Sequence, residues 1–256
     1  MEQETQTTYP PETATPAPAA KQNLMVPGAI LIGFAMIAGA IYFSGGGGAP
    51  QQALNFATEA PQDQPSGEIR PVDETDHIRG NPNAPIVFVE YSDFDCPFCK
   101  QFHETMKQIV DEYGVDGQVA WVYRQFPLEQ LHPNAPQIAL ASECVAALGG
   151  NDAFWTFSDL VFSERGTNEP TNMTELPSFA VQAGVDETEY TACMEEERFM
   201  DAVEADLADG MNAGARGTPH TLVLVGGQQG TINGAQPYAV VKQLTENLLS
   251  QIEGGN

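Results

Sequence analysis

Positive charge is scarce in this sequence: 10 Lys and Arg stand against 35 Asp and Glu, for a formal net charge of −25. Nucleic acid and anionic membrane surfaces both reward clustered Lys and Arg, so neither is expected as a partner. The acidity reads as a solubility device, with a salt-rich habitat as the other reading. Cysteine is scarce too, at four: Cys96, Cys99, Cys144 and Cys193. The usual four-ligand zinc site pairs one Cys-x2-Cys with another or with a spaced His pair. Nothing of that kind lies near Cys144 or Cys193, so no metal is expected. No Lys or Arg lies between Lys21 and Arg70.

That cation-free interval holds one long apolar run, Leu24 to Phe43. Twenty residues at about 1.5 Å each span roughly 30 Å, the thickness of a bilayer core. Pro27 falls in the first turn, where its missing N–H costs little, and Tyr42 and Phe43 end the run where aromatics favour the interface. With Lys21 before it and no cation after it until Arg70, the positive-inside rule puts the N-terminus in the cytoplasm and the rest of the chain outside. The expectation is an uncleaved signal anchor. A cleaved signal peptide is the rival, with Ala38-Gly39-Ala40 as its site, but the run exceeds the usual h-region and continues past that site. No cysteine follows closely, so a lipoprotein anchor is not indicated. Residues 1–23, rich in Thr, Pro, Ala and Gln, read as a disordered cytoplasmic tail, and 44–72 as a flexible linker.

A globular domain is expected over 73–254. Gly80-Asn81-Pro82-Asn83-Ala84-Pro85 is a turn cluster, and Ile86 to Glu90 is the first strong strand. Phe102, Met106, Ile109, Val110 and Tyr113 then recur at helical spacing, and Val119 to Phe126 is a second strand. A helical region follows, with an insertion at about 132–208; its last piece, Tyr190 to Leu207, carries one helical period. Thr221 to Val225 and Thr231-Ile232 return to strand, and Val241, Leu244, Leu248 and Ile252 mark a closing helix. The element order gives an α/β sheet with an inserted helical subdomain, preceded by one N-terminal transmembrane helix. His77 and His132 read as loop residues.

Between the first strand and its helix stands Cys96-Pro97-Phe98-Cys99. A cysteine that ends a strand and starts a helix has its sulfur over unpaired backbone N–H groups, at the positive end of the helix dipole. The thiolate is the species that attacks a disulfide, and Cys99 lies one turn away as a resolving partner. The four cysteines allow three pairings. Cys144 and Cys193, 49 residues apart, could staple two helices.

Several separated motifs together resemble one family. They are Gly80 to Pro85, Val89 to Cys99, Phe126-Pro127-Leu128 with Leu131 to Ala135, Arg216-Gly217-Thr218-Pro219, and Ile232 to Tyr238. The chain is similar to membrane-anchored, DsbA-like thioredoxin-fold thiol–disulfide oxidoreductases of the bacterial envelope, over nearly all of Asp73 to Gln251. The resemblance implies a thioredoxin-like fold and an enzyme whose only redox group is the Cys96–Cys99 disulfide, with no separate cofactor. It makes Cys96 the exposed attacking cysteine and Cys99 the buried resolving one. Pro219 becomes a cis-proline facing the disulfide, with the backbone of Thr218 open to a substrate strand. Glu90, six residues before Cys96, becomes a buried carboxylate that relays the Cys99 proton. Pro97 and Phe98 set the redox poise. Strongly oxidising relatives carry Pro-His there, and Phe offers the Cys96 thiolate neither charge nor a polar hydrogen, which predicts a milder oxidant. His103 and His220 are secondary tuning candidates. Cys144 and Cys193 match a structural disulfide of some relatives, which requires an oxidising compartment. The expected partners are extracytoplasmic protein thiols and disulfides and a membrane quinone-linked thiol oxidase. Oxidase activity is the leading expectation. Reductase or isomerase activity is the alternative, and a thioredoxin-fold binding or assembly module is the third.

Overall fold

The computed structural model describes residues 69–254. The expected tail, the 24–43 anchor and the linker up to residue 68 lie outside the described residues. Among the described residues no helix is long and apolar enough to cross a membrane. Two runs rich in β-branched and aromatic residues form the centre of the sheet: β2 (Ile86–Ser92) and β3 (Val119–Gln125). They pair in parallel, joined by the crossover helix α1 (Pro97–Tyr113). Seven buried positions in a row along β3 mean that both of its faces are covered, which is why neither strand alternates apolar with polar residues.

β1 (His77–Gly80) pairs antiparallel with β3. On the other side β4 (His220–Val225) pairs antiparallel with β2, and β5 (Gln228–Asn233) with β4. The order is therefore β1-β3-β2-β4-β5. Between β3 and β4 run α2 (Ala135–Gly149), α3 (Asn151–Glu164), a 3-10 turn (Met173–Glu175), α4 (Leu176–Gln182), α5 (Glu187–Glu195) and α6 (Met200–Asn212). The closing helix α7 (Tyr238–Gly254) follows β5. Phe88, Phe102, Met106, Trp121, Phe154 and Val241 belong to the larger core on one side of the sheet. Val89, Tyr91, Val122, Phe126 and Leu222 form a smaller one on the other. Helix α6 closes that second side: a Cβ at Gly210 would sit 2.5 Å from the Phe126 ring and 2.7 Å from that of Tyr91.

Three details differ from the sequence reading. The strand β1 was not legible, because His77-Ile78-Arg79-Gly80 is too short and polar to declare itself. His77 is accordingly a strand residue and not a loop residue: its ring stacks on Phe154 with centroids 3.6 Å apart and its Nε2 meets Glu143 at 2.9 Å. The period from Tyr190 to Leu207 is two helices, separated where Glu197 takes φ +48. A helix cannot pass through a left-handed residue. Finally, the domain begins before Asp73. The Arg70 N–H donates to Asp209 Oδ1 at 2.8 Å, and its guanidinium reaches Asp76 at 2.7 Å and Asp206 at 3.0 Å.

Those contacts feed a buried ion network. Arg124, fully buried on β3, donates to Asp76 at 2.9 and 3.0 Å and to Asp209 at 2.7 Å, and Tyr91 Oη donates to the same Asp209 oxygen. The network joins the entering chain, β2, β3 and α6. Removing one member of such a set leaves its partners buried and uncompensated. Cys144 on α2 and Cys193 on α5 form a disulfide with an S–S distance of 2.02 Å.

Arg124→Met is expected to lower the unfolding free energy by about 3–5 kcal/mol, read as a fall in the urea midpoint. Replacing Cys144 and Cys193 together by Ala is expected to cost about 2–4 kcal/mol, and alkylation of the uncut chain, denatured without reductant, should mark at most two cysteines, Cys96 and Cys99. Four alkylated cysteines there would remove the bridge.

Candidate active site

Cys96 is the N-cap of α1, with extended φ −74 and ψ 125, and Pro97 opens the helix at its first position. This geometry follows from the sequence, since proline is tolerated there and has no N–H to lose. The pair is in the dithiol form. Cys96 Sγ lies 3.5 Å from the Thr218 carbonyl oxygen, to which its thiol donates. The Thr218–Pro219 bond is cis. Cys96, expected to be exposed, is only 4% exposed, because the Thr218–Pro219 turn and the residues around it cover the sulfur. Cys99 is fully buried beneath it, whereas Phe98 projects from the helix start with 58% of its surface exposed.

The two thiols have opposite proton affinities. Hydrogen bonding from Cys99, together with Thr218 and the N–H groups of Cys99 and Phe98, brings the Cys96 thiol down to about 6 against the opposing effect of burial. Burial pushes the Cys99 thiol well above the ordinary range, and the charges of Cys96 and Glu90 push it further. Glu90, on β2, is 1% exposed. Burial raises its carboxyl to about 7, against a hydrogen bond from Trp121 Nε1 to Oε2 at 2.9 Å. An acidic sulfur thus sits above a reluctant one, with a near-neutral carboxyl close by.

Among the expected site residues, Cys96, Cys99, Glu90, Pro97, Phe98, Thr218 and Pro219 converge at this end of the sheet. Cys144 and Cys193 lie together elsewhere, in the helical block. The histidines have structural partners. His103 is buried with Nε2 2.7 Å from Asp159 Oδ1 and its ring against Phe162, and burial holds its pKa down. His220 Nδ1 meets Asn233 Oδ1 at 2.9 Å. His132 does lie in a loop, and its Nδ1 is 2.8 Å from Asp93 Oδ2.

Sequence reasoning missed the supports of the turn before Cys96. Asp93, buried, accepts from the N–H groups of Asp95 and Leu128, each at 2.8 Å, and so joins that turn to the loop after β3. Asp95 Oδ1 accepts from the Thr171 N–H at 2.8 Å. Arg165, just past α3, reaches the carbonyls of Asp95 and Cys96 at 3.0 and 2.9 Å. The acidic run Ser92-Asp93-Phe94-Asp95 was a usable signal. Arg165 had none, being about 70 residues away in the chain. Beside Pro97 opens a cleft of about 310 Å³, lined by Asp95, Leu131, His132, Arg165 and Glu169.

The chain belongs to the thioredoxin family: a family model described as thioredoxin matches residues 72–243. Within that family its fold is DsbA-like. Oxidised BdbD from Bacillus subtilis is similar at 22% identity, with a TM-score of 0.62 over 73% of this chain and 100% of that one. Alpha-DsbA1 from Wolbachia pipientis is similar at 20% identity, with a TM-score of 0.59 over 69% of this chain and 92% of that one. Among curated proteins, a Na(+)/H(+) antiporter NhaA 1 of Mycolicibacterium gilvum is 39% identical over 119 residues, 46% of this chain and 18% of the antiporter. The chain thus spans less than a fifth of that relative's length.

The alkylation rate of reduced Cys96 by iodoacetamide should be half-maximal near pH 6 and fall about tenfold per pH unit below it, with Cys99 unreactive in the native state. Because the folded thiol ionises below the unfolded one, Cys96 stabilises the reduced fold fully above about pH 8.5, and this contribution is lost as pH falls toward 6. A half-point at 8 or above would contradict the geometry.

Proposed function

We propose that this protein is a thiol–disulfide oxidoreductase that exchanges a Cys96–Cys99 disulfide with extracytoplasmic protein thiols, acting as an oxidase. One observation carries the reading: an acidified sulfur at a helix start, beside the Thr218 carbonyl, stands over a buried thiol whose proton is held far more tightly. In the oxidised protein a substrate thiolate attacks Cys96 Sγ. A bond forms between the two proteins, the Cys96–Cys99 bond breaks, and Cys99 leaves with the electron pair. Glu90, with a pKa near 7, gives it a proton. A second substrate thiol then attacks the substrate sulfur of the mixed disulfide, and Cys96 leaves as the thiolate that its surroundings favour. Two electrons pass from the substrate dithiol to the pair. Main-chain groups of Thr218 hold the incoming polypeptide, and the exposed apolar faces of Phe98 and Leu131 give it a surface to lie on. A quinone-linked membrane oxidase returns the pair to the disulfide.

Residues 24–43 would anchor the protein, with the N-terminus in the cytoplasm. The Cys144–Cys193 bridge supports an oxidising compartment, since such bridges persist there and are reduced in the cytosol. Phe98 favours a second reading: with no polar hydrogen at that position the same site suits a reductase or isomerase of lower potential.

Equilibration in graded glutathione buffers, with alkylated cysteines counted by mass, should place the Cys96–Cys99 couple well above thioredoxin's value of about −270 mV and short of about −120 mV. A value at or below thioredoxin's would sink the oxidase role in favour of the reductase. Cys96→Ser should abolish exchange altogether.

A further inference from the structure

Arg165 is out of place as a structural arginine. It is 6% exposed, yet all of its hydrogen bonds go to carbonyls: Asp95 at 3.0 Å, Glu169 at 3.1 Å and Cys96 at 2.9 Å. Its Nε has no hydrogen-bond partner, and among the described residues it enters no ion pair. With no carboxylate in ion-pair contact, this buried cation is compensated through space, by Asp95 first and by the Cys96 sulfur next. The carbonyl it holds at 2.9 Å is that of Cys96 itself, the one that also accepts the Lys100 N–H to begin α1. Resting on the thiol-exchange reading, we infer that Arg165 is the counter-charge of the Cys96 thiolate: a positioning residue that pins the turn carrying the sulfur and favours its charged state.

Other titratable groups lie on the elements around the sulfur. Cys99 on α1 and Glu90 on β2 act on it directly, and Asp93 and Asp95 belong to the turn that carries it. His132, in the loop after β3, is bonded to Asp93, and His220, next to Pro219, to Asn233. Lys100 is a second cation near the end of α3. Its Nζ donates to the carbonyls of Phe162 and Arg165, but it is partly exposed and so screened by water. Most of this surround is acidic and opposes a thiolate. Arg165 is its buried cation, in a region where low dielectric leaves the charge least screened. Asp95 opposes it, since its buried carboxylate interacts with the guanidinium and it stands next to Cys96 in the chain. Charge at position 165 and charge at position 95 must therefore move the thiol in opposite directions. A purely structural role predicts no such opposition.

The test uses the full chain with the pair reduced, reading the pH midpoint of Cys96 alkylation and the equilibrium with glutathione. Arg165→Gln is expected to raise the midpoint by about one unit and to shift the glutathione equilibrium about tenfold toward the disulfide. Arg165→Lys should stay within a few tenths of a unit of the parent. Asp95→Asn, which keeps an oxygen for the Thr171 N–H, should lower the midpoint. Should Arg165→Gln fail to fold, the Lys and Asp95→Asn variants decide the matter by their signs. Equal shifts in Arg165→Gln and Arg165→Lys, an unmoved midpoint in Arg165→Gln, or a rise in Asp95→Asn would each overturn the assignment. A parent chain that titrates as stated yet does not exchange with glutathione would overturn the oxidoreductase reading instead and leave Arg165 standing.

Discussion

A sulfur held over the first N–H groups of α1 is the interaction on which this site depends. It requires a strand that ends at the surface of the sheet, a turn of four residues, and a helix whose first residue needs no N–H partner. Ser92, Asp93 to Cys96 and Pro97 meet those needs in turn. The same geometry places Cys99 one turn deeper, where burial opposes its ionisation. The asymmetry between the two thiols is thus one of depth more than of residue type, since both are cysteines and the polypeptide differs only in where it sets them.

Holding that turn takes more of the molecule than the motif suggests. Asp93 ties it to the loop after β3, Asp95 to the segment before the 3-10 turn, and Arg165 to the end of α3. The helical block therefore supports the site as well as covering the sheet. The scarcity of cations sharpens the point. With 10 basic residues in the chain, Arg124 and Arg165 are both placed in the interior. Arg124 there balances Asp76 and Asp209, so its burial is explained by neutrality. Arg165 touches only carbonyls, so its burial calls for a different account.

The expected elements that were long and strongly patterned are present: β2, α1, β3, β4 and α7 fall where apolar runs and 3.6-residue spacing placed them. The misses are physical. β1 is four residues long and is stabilised by its pairing with β3, not by its own propensity. The break at Glu197 is a backbone conformation that helical periodicity cannot register. Pro219 was legible only as a turn proline in the sequence by itself, because the cis and trans forms of an X–Pro bond differ by less than a typical tertiary contact.

By itself the sequence determined an α/β order, the helix-start placement of Cys96, and the motif set that led to the family. Those are local properties, fixed by side-chain periodicity and by the backbone preferences of proline and glycine. Only the tertiary structure decided which groups surround the sulfur. Glu90, Thr218 and Arg165 approach Cys96 from β2, from the turn before β4 and from the end of α3, separated by up to 128 residues of chain. Proton affinity depends on distance and burial, and both exist only once those segments have packed together.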